Sequence, residues 1–221
     1  MNMKKIWKLG IATLMITPLV SFGQLEPTEL RLVGGKNISS FIFKDDANQK
    51  DEQLKYNMLN SFGVNLTLES DKHQLRPELM YRQAGARSDF QGLPLKWQMN
   101  YIDLSVGYLY EAARLGMFSL SPGVAFNAGY MVSGEQFIGE QRLSIVEEES
   151  MERLDIGFQG IANVRAFLTD NFTLSLEYRF GMGMTQIEND INDQMTRNIY
   201  HGVLLGIGFS LKQEESRSRF N

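Results

Sequence analysis

Two histidines, no cysteine and a set of charges spaced at alternate positions are the side chains from which this sequence could build chemistry. Without cysteine there is no thiol nucleophile, disulfide, iron–sulfur cluster, cysteine-ligated zinc or lipidated N-terminal Cys. His73 and His201 are too few for a multi-histidine metal site. A hydrolytic site needs a nucleophile beside a base that a third group orients. Two residues beyond His201 stands Val203, and no Ser is presented next to His201 on that segment, so it reads as an interfacial histidine. His73 falls at a turn, with no partner that sequence can name.

Other motifs fail on spacing. Asp190, Asn192 and Gln194 echo a calcium loop, but Met195 and His201 stand where a Gly and a bidentate Glu are required. Gly181-Met182-Gly183 and Gly206-Ile207-Gly208 open no helix and are not phosphate loops. Glu147-Glu148-Glu149, with Glu135, Glu140 and Glu152, form an acidic segment that reads as a solvated loop. A net charge of −4 leaves no basic footprint for nucleic acid.

The charges that remain are Arg31, Arg76, Glu78, Arg82, Asp103, Asp155, Arg165, Glu177 and Arg179, joined by Glu29. All lie in segments that alternate apolar and polar residues, the pattern of a two-faced strand. From Met117 to Met131 the even positions include Phe118, Leu120, Val124, Phe126 and Tyr130, whereas the odd ones include Ser119, Ser121, Gly123 and Asn127. A helix, with period 3.6, does not sort residues this way. The same sorting marks Phe62–Leu68, Leu75–Tyr81, Ile102–Tyr110, Leu154–Val164, Leu174–Met182 and Val203–Leu211, with a less regular first strand at Glu29–Ile38. That makes eight strands of about 10–14 residues, enough for the ~9–11 that cross a bilayer at a tilt.

Connectors alternate in length. The long ones are Ser40–Asn60, Gly85–Lys96, Val132–Arg153 and Thr185–Arg197; the short ones are Glu69–Lys72, Glu111–Gly116 and Leu168–Asn171. Long connectors confined to one end are the habit of a transmembrane barrel. In a soluble barrel the charged face would meet water; in a membrane barrel the faces invert and the charges pair in the lumen. Inversion is favoured by glycine on the polar face (Gly63, Gly107, Gly123, Gly157, Gly181, Gly206 and Gly208), as a crowded interior requires. Aromatics at strand ends (Trp97, Tyr110, Phe118, Tyr130, Phe172 and Phe209) fit interfacial girdles. The fold class expected is therefore all-β, an eight-stranded antiparallel up-and-down transmembrane barrel. Its lumen is narrow enough for its own side chains to fill, and charges there need partners. The named residues are expected to form a structural ion-pair network, the alternative being a proton or ion path.

Ahead of the strands, Lys4, Lys5 and Lys8 precede an apolar stretch from Leu9 to Phe22, with Ser21 and Gly23 before a cut at Gln24. This is the three-part form of a secretory leader, too short for the roughly 20 residues of a membrane helix. The expected organisation is a signal peptide at 1–23, a barrel at 24–212 and a polar tail at 213–221. Removing the leader takes three of the 22 basic residues and none of the 26 acidic ones.

From Leu30 to Leu211 the chain resembles the small outer-membrane β-barrel family of Bacteroidota, the PorT-like group. The likeness is carried by Gly34-Gly35-Lys36-Asn37-Ile38-Ser39, with Lys36 where an apolar residue is commoner, and by Leu75-Arg76-Pro77-Glu78-Leu79-Met80-Tyr81 followed by Gly85-Ala86. Asn100-Tyr101-Ile102-Asp103-Leu104, with Ser105 where Pro is typical, and Glu177-Tyr178-Arg179-Phe180-Gly181 extend it. The strands end near Leu211, which leaves either Phe209 or Phe220 as the aromatic read by the insertion machinery. The resemblance implies an eight-stranded barrel in the outer membrane with both termini periplasmic, and it does not imply one activity. A noncatalytic barrel without cofactor or metal is expected, acting structurally or through its external loops. Its partners would be outer-membrane lipid and lipopolysaccharide, and no nucleic acid. The alternative is an accessory subunit of an outer-membrane secretion or assembly machine, with a protein complex as partner. A lipid A-modifying enzyme ranks last.

Overall fold

A strand with one apolar and one polar face leaves both its edges and one face unsatisfied, and closing a sheet on itself removes the edges altogether. The computed structural model describes residues 25–44, 54–90, 92–148, 151–187 and 195–211. The expected leader, the polar tail with Phe220, and Asp190, Asn192 and Gln194 lie outside the described residues.

The strands are β1 (Glu26–Lys44), β2 (Lys55–Ser70), β3 (His73–Ala84), β4 (Ala86–Phe90), β5 (Leu93–Tyr110), β6 (Ala113–Leu115), β7 (Phe118–Ile138), β8 (Gln141–Ser144), β9 (Leu154–Thr169), β10 (Phe172–Gly183) and β11 (Met195–Ser210). β4 continues β3 past Gly85, and β6 and β8 are short flaps on β7. The remaining staves form a closed antiparallel ring of eight. Each pairs with its neighbours in sequence, and β1 closes on β11 from Glu29↔Ser210 to Lys44↔Met195. The expected fold class, an all-β eight-stranded up-and-down barrel, is the one observed. No helix among the described residues is long and apolar enough to cross a membrane, which says nothing of strands.

The faces are inverted relative to a soluble protein. On β10, Leu176 and Tyr178 are 50% and 46% exposed, whereas Glu177 and Arg179 between them are 2% exposed. Phe62, Leu104, Val124, Phe158 and Leu205 share the outward face of the other staves. Glycines let the inward face close up: a Cβ on Gly181 would lie 2.2 Å from the Tyr200 ring, and one on Gly206 2.8 Å from Arg31 Cδ.

Three expectations need correction. Most staves are longer than 10–14 residues, β1 with 19 and β7 with 21, whereas β3 and β10 have 12. Consequently, much of the supposed long connectors is strand. β4 pairs with β5 from Arg87↔Lys96 to Phe90↔Leu93 within Gly85–Lys96, and β8 folds back on β7 after Gly139 at φ 59. In these extensions apolar and polar residues no longer alternate strictly, as in residues 93–97 and 134–138, so the hairpins continue where the period-two pattern no longer marks them. Trp97, assigned to a girdle, instead packs edge-on to Phe41 with ring centroids 6.1 Å apart. It joins an apolar cluster of Phe41, Ala84, Met99, Tyr101, Met131, Ile145 and Ile187 at the long-loop end. Ile145 and Ile187 come from connectors and close that end of the lumen.

Candidate functional site

Alternate residues of every stave point inward, so charges far apart in sequence meet in three tiers. In the tier nearest the long-loop end, Arg82 on β3 donates from Nη2 to Asp155 Oδ2 at 2.9 Å and from Nε to Asp103. Asn198 Nδ2 donates to the same Asp155 oxygen at 2.9 Å. The guanidinium lies 4.7 Å from the Tyr101 ring centroid and 5.1 Å from that of Tyr200, a cation–π sandwich.

The middle tier crosses the lumen. Arg179 on β10 grips Glu78 on β3 with two bonds of 2.6 Å, the fork-on-fork arrangement that makes Arg–carboxylate pairs strong. Its Nε also bonds Glu177, which accepts from Arg76 Nη1 at 2.7 Å and from Asn163 Nδ2 at 3.0 Å. Asn65 Nδ2 donates to Glu78 at 3.2 Å. Two arginines thus face two glutamates, and the tier is neutral.

At the short-turn end, Arg31 Nε donates to Glu29 at 2.7 Å, and Glu29 accepts from Thr173 at 2.6 Å. Arg165 donates to Glu69 at 2.8 Å and lies 3.7 Å from Glu111. Glu69 lies at the end of β2 and Glu111 just after β5, within the short connectors of the sequence pattern, and the barrel's stagger brings both over the mouth. The arginines, Glu29, Glu78, Glu177, Asp103 and Asp155 are buried, whereas Glu69 and Glu111 at the mouth are partly exposed. An ion-paired, side-chain-filled lumen can hold a barrel rigid.

The outward face carries polar groups of its own. His201 Nδ1 lies 2.7 Å from Tyr178 Oη, with Phe180 and Tyr56 rings beside it. The structure therefore gives His201 a tyrosine rather than a serine, and His73 likewise lies 2.7 Å from Tyr108 Oη. A hydrogen-bonded row also runs across five staves. Lys36 Nζ donates to Asn60 at 2.6 Å, Asn60 to Gln83 at 3.1 Å, Gln83 to Asn100 at 3.0 Å and Asn100 to Ser133 at 2.7 Å. Sequence reasoning passed over this row; its signal is the polar residue breaking the apolar alternation on each strand in turn.

Fold and faces together define a closed β-barrel with a charged inside and an apolar outside. No protein-family model and no curated protein sequence matches the chain. Among solved structures it is similar to outer membrane protein OprG from Pseudomonas aeruginosa, at 13% identity and a TM-score of 0.48, covering 86% of this chain and 99% of that one. It is similar also to Neisserial surface protein A, at 10% identity and 0.47, covering 81% and 96%. Ail, the attachment invasion locus protein of Yersinia pestis, is 14% identical with a TM-score of 0.41, over 84% and 99%.

Proposed function

We propose that the chain is an integral outer-membrane β-barrel whose lumen is sealed by its own ion pairs and which acts structurally or through its external loops, without catalysis. The observation that carries this reading is the inversion of faces: large apolar side chains cover the outside of the ring while the arginines and carboxylates are buried within it. In water such a surface would aggregate; in a bilayer it is the surface required. In this reading residues 1–23 direct export, both termini are periplasmic, and lipid and lipopolysaccharide surround the belt. The ion pairs named above serve as a structural plug. The purified protein in planar bilayers is expected to give no large, steady open channel at moderate voltage, because charged side chains fill its cross-section. Sustained porin-like conductance would overturn the plug, and recovery of the native protein in the soluble periplasmic fraction would overturn the membrane assignment.

A second reading is an accessory subunit of an outer-membrane secretion or assembly machine. The PorT-like segments support it, and so does the polar row on the outer wall, which lipid alone does not call for. A stable stoichiometric partner on purification in mild detergent is the expected mark of this role.

A further inference from the structure

On the outer wall the apolar belt is continuous over one side of the barrel and broken over the other. Along β9, Leu154, Phe158, Val164 and Leu168 are all exposed, with no charge among the outward residues between them. Along β1 the outward face runs Leu30, Leu32, Gly34 and then Lys36. The belt does not end there: Ile38, Met58 and Tyr56 are 40%, 62% and 49% exposed just beyond the Lys36–Asn60 pair. From Leu30 to Lys36 is about six residues, which at ~3.3 Å per residue and a tilt of about 40° places the ammonium base roughly 15 Å into an apolar band ~25 Å tall. A lysine facing lipid at that depth destabilises a barrel unless something answers its charge. Asn60, its hydrogen-bond partner, is neutral.

We infer that the wall formed by β1, β2 and β3 is an interface with another membrane protein that presents a carboxylate to Lys36 within the bilayer. This rests on the membrane-barrel reading above. Charge complementarity selects the occupant. A second copy of this chain does not supply the acid: the acids on the described staves face the lumen or sit at strand ends, and a twofold contact would set Lys36 against Lys36. A lipid phosphate lies at the edge of the band, roughly 10 Å further on, beyond the reach of a lysine stem. A protein segment inserted beside the barrel can place a carboxylate at any depth. The amides of Asn60 and Gln83 extend the same polar row, giving such a segment further polar partners.

The test is photo-crosslinking in intact cells from p-benzoylphenylalanine at Met58, with Phe158 on the opposite wall as control; these positions are 62% and 53% exposed. The expected result is one adduct of discrete protein mass from Met58 and none from Phe158. The adduct should persist in Lys36→Arg and fall roughly tenfold or more in Lys36→Gln, as for loss of one partner of a desolvated charge pair. Peptide sequencing of the adduct should find an acidic residue in the crosslinked segment, and its replacement by Lys should restore the adduct to Lys36→Glu. Adducts from both positions, an adduct indifferent to Lys36, an adduct with lipopolysaccharide alone or with a second copy, or none at all would overturn the interface. Outer-membrane fractionation and heat-modifiable electrophoretic mobility are read on the same samples. A folded outer-membrane barrel without the adduct sinks the interface only, whereas a soluble wild type sinks the membrane reading and the interface with it.

Discussion

Replacing Glu78 with Ala removes the carboxylate that accepts both 2.6 Å bonds from Arg179, across 101 residues of sequence. Arg179 keeps its bond to Glu177, but Glu177 must then serve Arg76 and Arg179 together, and the middle tier carries an unmatched positive charge. Breaking a buried pair from one side costs about 3–5 kcal/mol. The surviving Glu177 contact puts Glu78→Ala at the lower end, about 3 kcal/mol, or roughly a 150-fold change in the unfolding equilibrium. Glu78→Gln keeps the volume and an acceptor while losing the charge, and should cost about 1–2 kcal/mol. The double variant Glu78→Ala/Arg179→Ala leaves Arg76 and Glu177 matched, so it should be less destabilised than the sum of its singles by about 2 kcal/mol. The assay is reversible urea unfolding from lipid vesicles followed by fluorescence. Processing at Gln24 would leave Trp97 as the lone tryptophan, and its place in the apolar cluster at the long-loop end makes it a reporter of barrel closure. An unchanged midpoint in Glu78→Ala, or strict additivity in the double variant, would refute a dry, coupled tier.

Three further outcomes follow from the same geometry. Val124→Arg, near the middle of the outward face of β7, should cost roughly 2–4 kcal/mol, whereas Phe118→Arg and Tyr130→Arg near its ends should cost about 0–1; equal penalties in vesicle unfolding would contradict the membrane depth profile. Gly181→Ala should destabilise by about 1–3 kcal/mol, since its Cβ would lie 2.2 Å from the Tyr200 ring and force that side chain off Arg82; the same unfolding assay checks it. Lys36→Leu should raise the stability of the isolated barrel by about 1–3 kcal/mol, the opposite sign to a lumen substitution, because it removes a lipid-facing charge; a loss of stability would place Lys36 in water.

The sequence by itself determined what the backbone decides locally. Side-chain direction in a strand has period two, so Leu176, Tyr178 and Phe180 fall on one face and Glu177 and Arg179 on the other whatever their surroundings. Strand number and the up-and-down order follow from those runs and the turns between them. The crowded interior was readable too, because Gly181 and Gly206 occupy the polar face, where a solvated surface would not require them. Only the closed barrel decided which charges meet. Arg179 reaches Glu78, and Arg82 reaches both Asp103 and Asp155, because tilt and stagger set heights that no single strand encodes. Closure also took Trp97 out of the expected girdle and into the apolar cluster with Phe41. It brought Glu69 and Glu111 over Arg165, and aligned Lys36, Asn60, Gln83, Asn100 and Ser133 into one row. A period is a property of one strand, whereas a register belongs to two, and every ion pair across the lumen depends on the sum of all the registers around the ring.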